Sequence, residues 1–544
     1  MAPDRLGGLD AAFLAIETKA MHLHVAAVLI LEPAGVGGST ASTPEQVYAR
    51  IREAVVSRLD RVPVLRRRLV EVPLGLGRPF IVDHLDVDLD AHLRRAALPQ
   101  PGTTAQLQRV VADIVSRPLD RSRPLWDLVV VEGLDDHRTA VVVRLHHAIA
   151  DGIAGIGVLT ELLDPGGAVP GGSVRGAALV DPGAALVDPG AEGVEGARQE
   201  EPRPLAPQRV PDGPEVLRGV LDDVIGEVAR SARAAVRGIR ETRALVVRYR
   251  DGESDLLPRP FDAPRTSVNR AISPDREVAW AELPMAVIRR TGVALGGTVN
   301  DVVLTLAGGA LHGYLVDRGE VPDRSLVAMV PVSTAGSGVG PMASESESES
   351  SGADAVIGAR SVGNRVTGML VSLATGVEDP EDRFRLVRDG TRRAKLVCRE
   401  VGSAWLESWA DALVPGAPAA VARALSDLRL FDRFPPLCNV VVSNVPGAEE
   451  PVALGGLRVA AMYPLGPISE GIGLNITVLS YAGTLHVGVQ SCRALVPDPG
   501  EVASRMAGEL DMLTEAAGRI QLRQERSRNT HSRSVPWWHR DVAV

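Results

Sequence analysis

Residues 146–152 read HHAIADG, and they follow the apolar run AVVVRL of residues 140–145. A β-branched run of this length predicts a buried strand, and its end would deliver two histidines to the edge of a cleft. A neutral imidazole can take a proton from a hydroxyl or thiol group near pH 7. The stretch therefore predicts an α/β core with a histidine general base where one strand ends.

The residues of this stretch suit different roles. His147 lies nearer to the loop and is the better candidate for the base, whereas His146 would point the other way along a strand and pack. Asp151 is expected to pair with an arginine and pin the loop, and Gly152 lets backbone or ligand pass closely. These residues favour acyl transfer by a histidine base with no nucleophilic residue of the enzyme's own. The structural alternative is an ordinary core or surface histidine whose hydrogen bonds are satisfied.

Length and composition limit the number of domains, the class of partner and the cellular compartment. A chain of 544 residues with 45% hydrophobic residues is long enough for two domains plus linkers. The net charge of −9 argues against a nucleic-acid partner. The cysteines Cys398, Cys438 and Cys492 have no metal-ligand spacing, so we expect reduced thiols and no metal. The opening residues lack a signal peptide's apolar run, and we expect a cytoplasmic protein, soluble or peripheral on a membrane.

Changes in composition divide the chain into five predicted parts. Residues 164–213 are rich in Pro, Gly and Ala and repeat AALVDPG in tandem, which is typical of a disordered linker. Residues 214–263 regain helical periodicity and become dense in arginine, which fits a solvated crossover helix or a helix lying on anionic lipid. The parts are an N-terminal domain that carries HHxxxDG (1–163), the linker (164–213), the crossover helix region (214–263), a C-terminal domain (264–519, with a low-complexity loop at 335–360) and a disordered tail (520–544).

Shorter patterns predict individual elements. Thr43, Pro44 and Gln46 together form a capping-box start for a helix. Other patterns predict strands over 22–31, 128–131, 140–145 and 437–443, a helix over 298–315, and a hairpin of 472–480 with 484–489.

The HHxxxDG pattern resembles the coenzyme A-dependent acyltransferase superfamily, which includes chloramphenicol acetyltransferase, condensation domains and wax ester synthase/diacylglycerol acyltransferases. Further segments resemble the last family, and the likeness spans about 1–160 and 264–515. The opening resembles its N-terminal signature through Asp10, Phe13, Glu17, Met21 and His22. The other segments are PLDRSRPLW (118–126), TVNDVV (298–303), VPVS (330–333), GNR (363–365), SNVPG (443–447) and GLNI (473–476).

This resemblance implies a fold of two chloramphenicol-acetyltransferase-like α/β domains. Acyl-CoA and an acceptor would approach the histidine from opposite ends of an interdomain substrate tunnel. By the same resemblance, His147 is the catalytic base, Asp151 is structural, and Gly152 is the small residue beside the thioester arm. Acyl-CoA would be a substrate, and no resident cofactor is expected.

The resemblance also implies substrate-binding residues. Asn300 and Asp301 match a second-domain pair that would shape the floor of the active site. Pro118, Leu125 and Trp126 match a segment linked to the acceptor pocket, and ordinary core packing is an equal alternative for these three.

The leading hypothesis is an acyl-CoA:diacylglycerol O-acyltransferase that makes triacylglycerol and also wax esters from fatty alcohols. One alternative keeps the fold but takes the acyl group from a carrier-protein thioester. Another is a non-catalytic lipid-binding protein of the same fold. Lipid substrates would place the protein peripherally on the inner face of the plasma membrane or on lipid inclusions.

Overall fold

The chain builds two mixed α/β halves, each around its own six-stranded sheet. In this computed structural model the described residues are 4–32, 43–72, 77–83, 86–149, 152–164, 261–333, 366–401, 423–433 and 435–533, with isolated positions between 233 and 258.

The first sheet is antiparallel except for the pairing of its last two strands. In spatial order its strands are Ala453–Leu454 (β12), Leu457–Leu465 (β13), His24–Leu31 (β2), Thr139–His146 (β7), Trp126–Glu132 (β6) and Leu93–Ala97 (β5). A small antiparallel sheet belongs to the same half and consists of Asp4–Arg5 (β1), Phe80–Asp83 (β4) and Arg67–Val70 (β3).

The second sheet has two parallel pairings around β11 and is otherwise antiparallel. In spatial order its strands are Val366–Ser372 (β10), Val327–Ser333 (β9), Val440–Pro446 (β11), Leu474–Tyr481 (β14), Thr484–Cys492 (β15) and Arg276–Pro284 (β8). The helices are Gly8–Ile16 (α1), Pro44–Arg58 (α2), Leu89–His92 (α3), Thr104–Val115 (α4), Gly152–Leu162 (α5), Met285–Ala294 (α6), Val299–Val316 (α7), Pro380–Val401 (α8) and Pro499–Arg533 (α9).

Strands β6 and β7 show why this sequence folds as it does. Their runs LVVV (128–131) and AVVV (140–143) pair antiparallel, and each residue in them is at most 5% exposed. Alternate residues enter two hydrophobic clusters on opposite faces of the sheet. Because both faces are covered, the strands are apolar throughout instead of alternating. The predicted strand pair is thereby confirmed.

The predicted helix starts are confirmed as well. Thr43 and Gln46 make the reciprocal bonds of a capping box at α2, and Thr298 makes the same arrangement with Asp301 at α7. Helix α7 has the length and mean hydropathy, 1.2, of a membrane-crossing helix, but 72% of it is buried. It packs among α8, α9 and β11 and forms the core of the second half.

The later part of the chain adds two strands to the first sheet. β12 and β13 follow β11 in the chain, yet they join the first sheet, where Leu465 pairs with Ala26 of β2. β13 also crosses the second sheet so closely that a Cβ atom on Gly488 would lie 1.7 Å from the Pro464 carbonyl oxygen. The predicted C-terminal domain, residues 264–519, therefore includes two strands, β12 and β13, that belong to the first sheet, and these strands interlock the halves.

Two further boundaries differ from the predictions. Helix α9 extends to Arg533, so residues 520–533 are helical where disorder was predicted. Asp164, the first residue of the predicted linker, still bridges to Ala453. The rest of the linker, the loop at 335–360 and residues 534–544 lie outside the described residues, as does most of 214–263, in which the described positions 233, 236, 237 and 240 are helical.

Candidate active site

The histidine doublet closes strand β7 and opens a tight turn. The His146 N–H donates to the Leu125 carbonyl at 3.0 Å, and the His147 N–H donates to the Leu23 carbonyl at 2.8 Å. The Ile149 N–H then donates to the His146 carbonyl at 3.0 Å. Backbone hydrogen bonds from both neighbouring chain segments therefore hold the turn and fix the point from which each imidazole projects.

The two histidine side chains lie in different environments. His146 is 2% exposed, whereas His147 is half-buried. The His147 ring packs against Phe13 of α1, with ring centroids 4.5 Å apart and planes tilted by 36°. Of the two imidazoles, His147 is the one that a reactant can approach.

The two ring nitrogens of His146 have different neighbours. Its Nδ1 accepts a hydrogen bond from the Ala148 N–H at 3.0 Å. Its Nε2 lies 3.0 Å from Oε1 of Glu17. Because Nδ1 accepts this hydrogen bond, Nε2 is the ring nitrogen left to face the carboxylate. His146 therefore holds structure and is not positioned to act as a base.

Glu17 joins several segments at this point. Its Oε1 accepts from the Leu23 N–H at 2.7 Å, and its Oε2 accepts from Arg121 Nη2 at 2.6 Å. Burial alone would raise the pKa of Glu17, but the contacts of its carboxylate with His146, with the Arg121 side chain and with the Leu23 amide lower it to about 2. The carboxylate is ionised over the whole neutral range.

A buried ion pair lies on the same face of the sheet. Arg144 Nε and Nη2 donate to the two carboxylate oxygens of Asp127, at 2.8 and 2.6 Å. Arg144 Nη1 donates to the Ile114 and Arg117 carbonyls, at 2.7 and 2.5 Å. The pair thus fastens the end of α4 to β6 and β7. Burial, followed by the charge of Arg144, holds the pKa of the neighbouring His24 well below its usual range.

The turn that carries His147 lies at the interface between the two halves, which we call the seam. Phe13, which contacts His147, also packs against a small apolar cluster drawn from both halves: Met21, Leu23, Ile272, Ile468 and Cys492. Arg276 of β8 crosses the seam and donates to the Ala20 carbonyl at 2.5 Å, and its N–H donates to the Ser116 hydroxyl at 2.9 Å. The contacts of Phe13 and Arg276 therefore place the His147 turn beside the interface between the two halves.

Two members of the predicted acceptor segment are core residues. Leu125 is fully buried and Trp126 is 2% exposed. The Trp126 indole N–H donates to the Leu65 carbonyl at 2.8 Å, and the indole stacks on His92 at 4.5 Å. With its polar atom satisfied and its faces covered, Trp126 is better explained by packing than by acceptor contact. Pro118, in contrast, is exposed.

The other predicted residues are placed as follows. Asp151 lies outside the described residues, and Gly152 begins α5. Asp301 uses Oδ2 to accept from the Thr298 amide and hydroxyl, both at 2.8 Å, so it caps α7. Asn300 is half-buried. Among the described residues, neither Asn300 nor Asp301 hydrogen-bonds to the histidine turn.

Sequence reasoning assigned no site role to Phe13, Glu17 or Arg121. A signal existed, because Phe13 and Glu17 belong to the opening signature and Arg121 lies in the PLDRSRPLW segment. Nothing in the spacing of the chain shows that these two segments meet at His146.

The profile described as the wax ester synthase/diacylglycerol acyltransferase catalytic domain matches residues 6–170 and 177–303, and the profile of the C-terminal domain matches residues 362–514. This chain belongs to the wax ester synthase/diacylglycerol acyltransferase family. The family resemblance inferred from the motifs is thereby confirmed.

Relatives within this family match nearly the whole chain. A Mycobacterium tuberculosis H37Rv protein, provisionally named a diacylglycerol O-acyltransferase, is 32% identical over 517 residues, covering 94% of this chain and 96% of its own. A second protein of that strain with the same provisional name is 31% identical over 520 residues, covering 95% of this chain and 91% of its own.

Solved structures confirm the predicted fold class. The wax ester synthase/diacylglycerol acyltransferase from Marinobacter aquaeolei VT8 superposes with a TM-score of 0.60 at 22% identity, covering 95% of this chain and 100% of that one. The first condensation domain of the calcium-dependent antibiotic synthetase gives 0.50 at 17% identity, covering 94% and 96%. At these identities the likeness establishes the shared two-half α/β architecture.

Proposed function

We propose that this chain is an acyl-CoA-dependent O-acyltransferase that esterifies a long-chain acyl group onto diacylglycerol to form triacylglycerol, with fatty alcohols as a second acceptor class. The observation that carries the proposal is the placement of His147, a half-buried imidazole on a turn held by backbone hydrogen bonds beside the seam, in a chain whose family profiles match residues 6–170, 177–303 and 362–514. Family membership supports acyl transfer, and the choice of donor and acceptor is the proposed part.

The chemistry needs little from the protein beyond a base and positioning. His147 would take the proton of the acceptor hydroxyl as that oxygen attacks the thioester carbonyl carbon. The tetrahedral intermediate would then collapse with cleavage of the carbon–sulfur bond, and the proton would pass to the departing thiolate. Because coenzyme A leaves readily, no protein nucleophile is required, and catalysis rests on orientation, proton transfer and oxyanion stabilisation.

We further propose that donor and acceptor reach His147 through an interdomain tunnel from opposite sides. The position of His147 beside the seam, with its half-buried ring against Phe13, supports this arrangement. Asp151 is proposed to hold the loop and Gly152 to flank the thioester arm. Acyl-CoA is proposed to act as a substrate, with no resident cofactor.

The decisive experiment measures thiol release from palmitoyl-CoA with diolein and, separately, with hexadecanol. We expect acceptor-dependent release with formation of triacylglycerol and of wax ester. Turnover only with an acyl-carrier-protein thioester would contradict the acyl-CoA donor and favour a condensation-type enzyme. Bound lipid without any thiol release would favour a non-catalytic lipid-binding protein.

Peripheral contact with a membrane or lipid inclusion is also proposed. An exposed ridge of the second half supports it: Phe261 and Leu428 are 61% and 66% exposed. Arg265 connects their segments by donating to the Asp432 and Arg433 carbonyls. Exposed apolar side chains with an arginine nearby, such as Arg429 next to Leu428, fit the boundary between anionic headgroups and acyl chains.

Flotation with phosphatidylglycerol-containing vesicles tests this ridge. We expect the wild type to float and the double variant F261S/L428S to remain in the soluble fraction. Met512→Ser is the matched control, because Met512 is an apolar residue, 46% exposed, that lies on α9 and not on this ridge. Equal flotation of all three proteins, or none for the wild type, would contradict the proposal.

A further inference from the structure

We propose that Glu17, clamped by Arg121, is a positioning residue for His147. This inference rests on the proposed function, in which His147 is the base. Glu17 does not need to touch a substrate in this role, because it acts through the backbone and side chains on either side of the His147 turn.

The first connection runs through His146. Its Nε2 lies 3.0 Å from Glu17 Oε1, while its Nδ1 accepts from the N–H of Ala148, the residue after His147. If the imidazole rotated or changed tautomer, that amide bond would be lost. Glu17 therefore fixes the ring that in turn fixes the residue after His147.

The second connection runs through Leu23. Glu17 Oε1 accepts from the Leu23 N–H at 2.7 Å, and the Leu23 carbonyl accepts from the His147 N–H at 2.8 Å. One carboxylate oxygen is thus two hydrogen bonds away from the His147 backbone along this route. The two routes meet at Glu17, so the backbone on both sides of the base depends on one group.

Arg121 completes the clamp. Its Nη2 donates to Glu17 Oε2 at 2.6 Å and to the Leu14 carbonyl at 2.7 Å, so it holds both the carboxylate and the end of α1. Helix α1 also carries Phe13, whose ring contacts His147. The same network therefore sets the His147 backbone and the aromatic surface against which its ring packs.

Glu17→Gln is the test, because the amide keeps the shape but presents an N–H₂ group and loses the charge. We expect kcat with palmitoyl-CoA and diolein to fall about 10- to 100-fold, since small misplacements of a catalytic group cost that much. KM for palmitoyl-CoA should change by no more than about twofold, because this interaction serves the reacting geometry and not ground-state binding.

Glu509→Gln is the matched control. Glu509 accepts from Arg383 at 2.6 Å and its side chain is 13% exposed, against 2.6 Å and 12% for Glu17 with Arg121, but it lies in the second half. The Glu509→Gln variant should lose about as much free energy of unfolding as Glu17→Gln and keep kcat within about twofold of wild type. An equal fall in kcat in both variants would show a general loss of stability and overturn the positioning role.

Arg121→Gln provides the second variant should Glu17→Gln fail to fold, since the Arg121 side chain is 36% exposed. We expect a smaller fall in kcat, and a double variant no slower than Glu17→Gln alone, because residues in one network act non-additively. Wild-type kcat in both single variants would overturn the inference while leaving the proposed function intact. A wild-type protein without turnover would instead contradict the proposed function, and the inference would fall with it.

Discussion

Replacing Trp126 by Phe separates core packing from acceptor contact in the segment that the family motif linked to substrate. The indole N–H is lost, which leaves the buried Leu65 carbonyl, 2.8 Å away, without its partner. A buried unsatisfied carbonyl costs about 1–3 kcal/mol. The smaller ring also loses part of its stacking on His92, worth about 1 kcal/mol.

Together with a small cavity, these losses predict a free energy of unfolding lower by about 3 kcal/mol. Urea unfolding followed by far-UV circular dichroism measures this change. Trp280→Phe is the control: Trp280 is half-buried and stacks on Tyr463 at 5.0 Å. Among the described residues its indole nitrogen has no hydrogen bond, so the loss should be about 1 kcal/mol.

The kinetic expectation for Trp126→Phe follows from burial. Since Trp126 is 2% exposed, KM for diolein in the folded variant should stay within about twofold of wild type. A variant of unchanged stability whose KM for diolein rises about tenfold or more would refute this reasoning and place Trp126 in the acceptor pocket.

Three further predictions concern stability. The lowering of the pKa of Glu17 from 4.5 to about 2 contributes about 3 kcal/mol that is fully present above pH 4.5 and is lost as the pH falls toward 2; the difference in unfolding free energy between wild type and Glu17→Gln should shrink over that range, and a constant difference would contradict it. Gly488→Ala should destabilise by about 3 kcal/mol or more, measured by urea unfolding, because its Cβ would lie 1.7 Å from the Pro464 carbonyl oxygen; a neutral effect would argue against the close crossing of β13. Arg144→Met should cost about 3 kcal/mol by leaving the buried Asp127 with Arg94 as its one remaining partner among the described residues, and an unchanged urea midpoint would contradict that.

Local features were predictable from the sequence because their causes are local. The capping boxes at Thr43 and Thr298 need only residues three apart, and the paired strands β6 and β7 need only their apolar runs and an intervening turn. The position of the histidine turn followed for the same reason. The resemblance of the longer motifs to a known family then predicted the fold of two α/β halves.

What the sequence did not reveal depends on contacts between distant segments. No local pattern marks β13 as a strand of the first sheet, since its pairing with β2 is set by how the halves pack. The contact of Glu17 with His146 likewise exists only once α1 lies beside the end of β7. Residues 520–533 are mostly polar and were predicted disordered, yet they continue the helix that begins in the core at Pro499.

The central claim is that His147 is the general base of acyl transfer, and His147→Ala tests it most directly. Thiol release from palmitoyl-CoA with diolein should fall by about 10²- to 10⁴-fold, while circular dichroism and lipid binding stay at wild-type levels. His137→Asn is the control, because His137 is exposed on the β6–β7 loop and Asn tolerates its φ of 60°. Turnover by His147→Ala at the rate of that control would contradict the account.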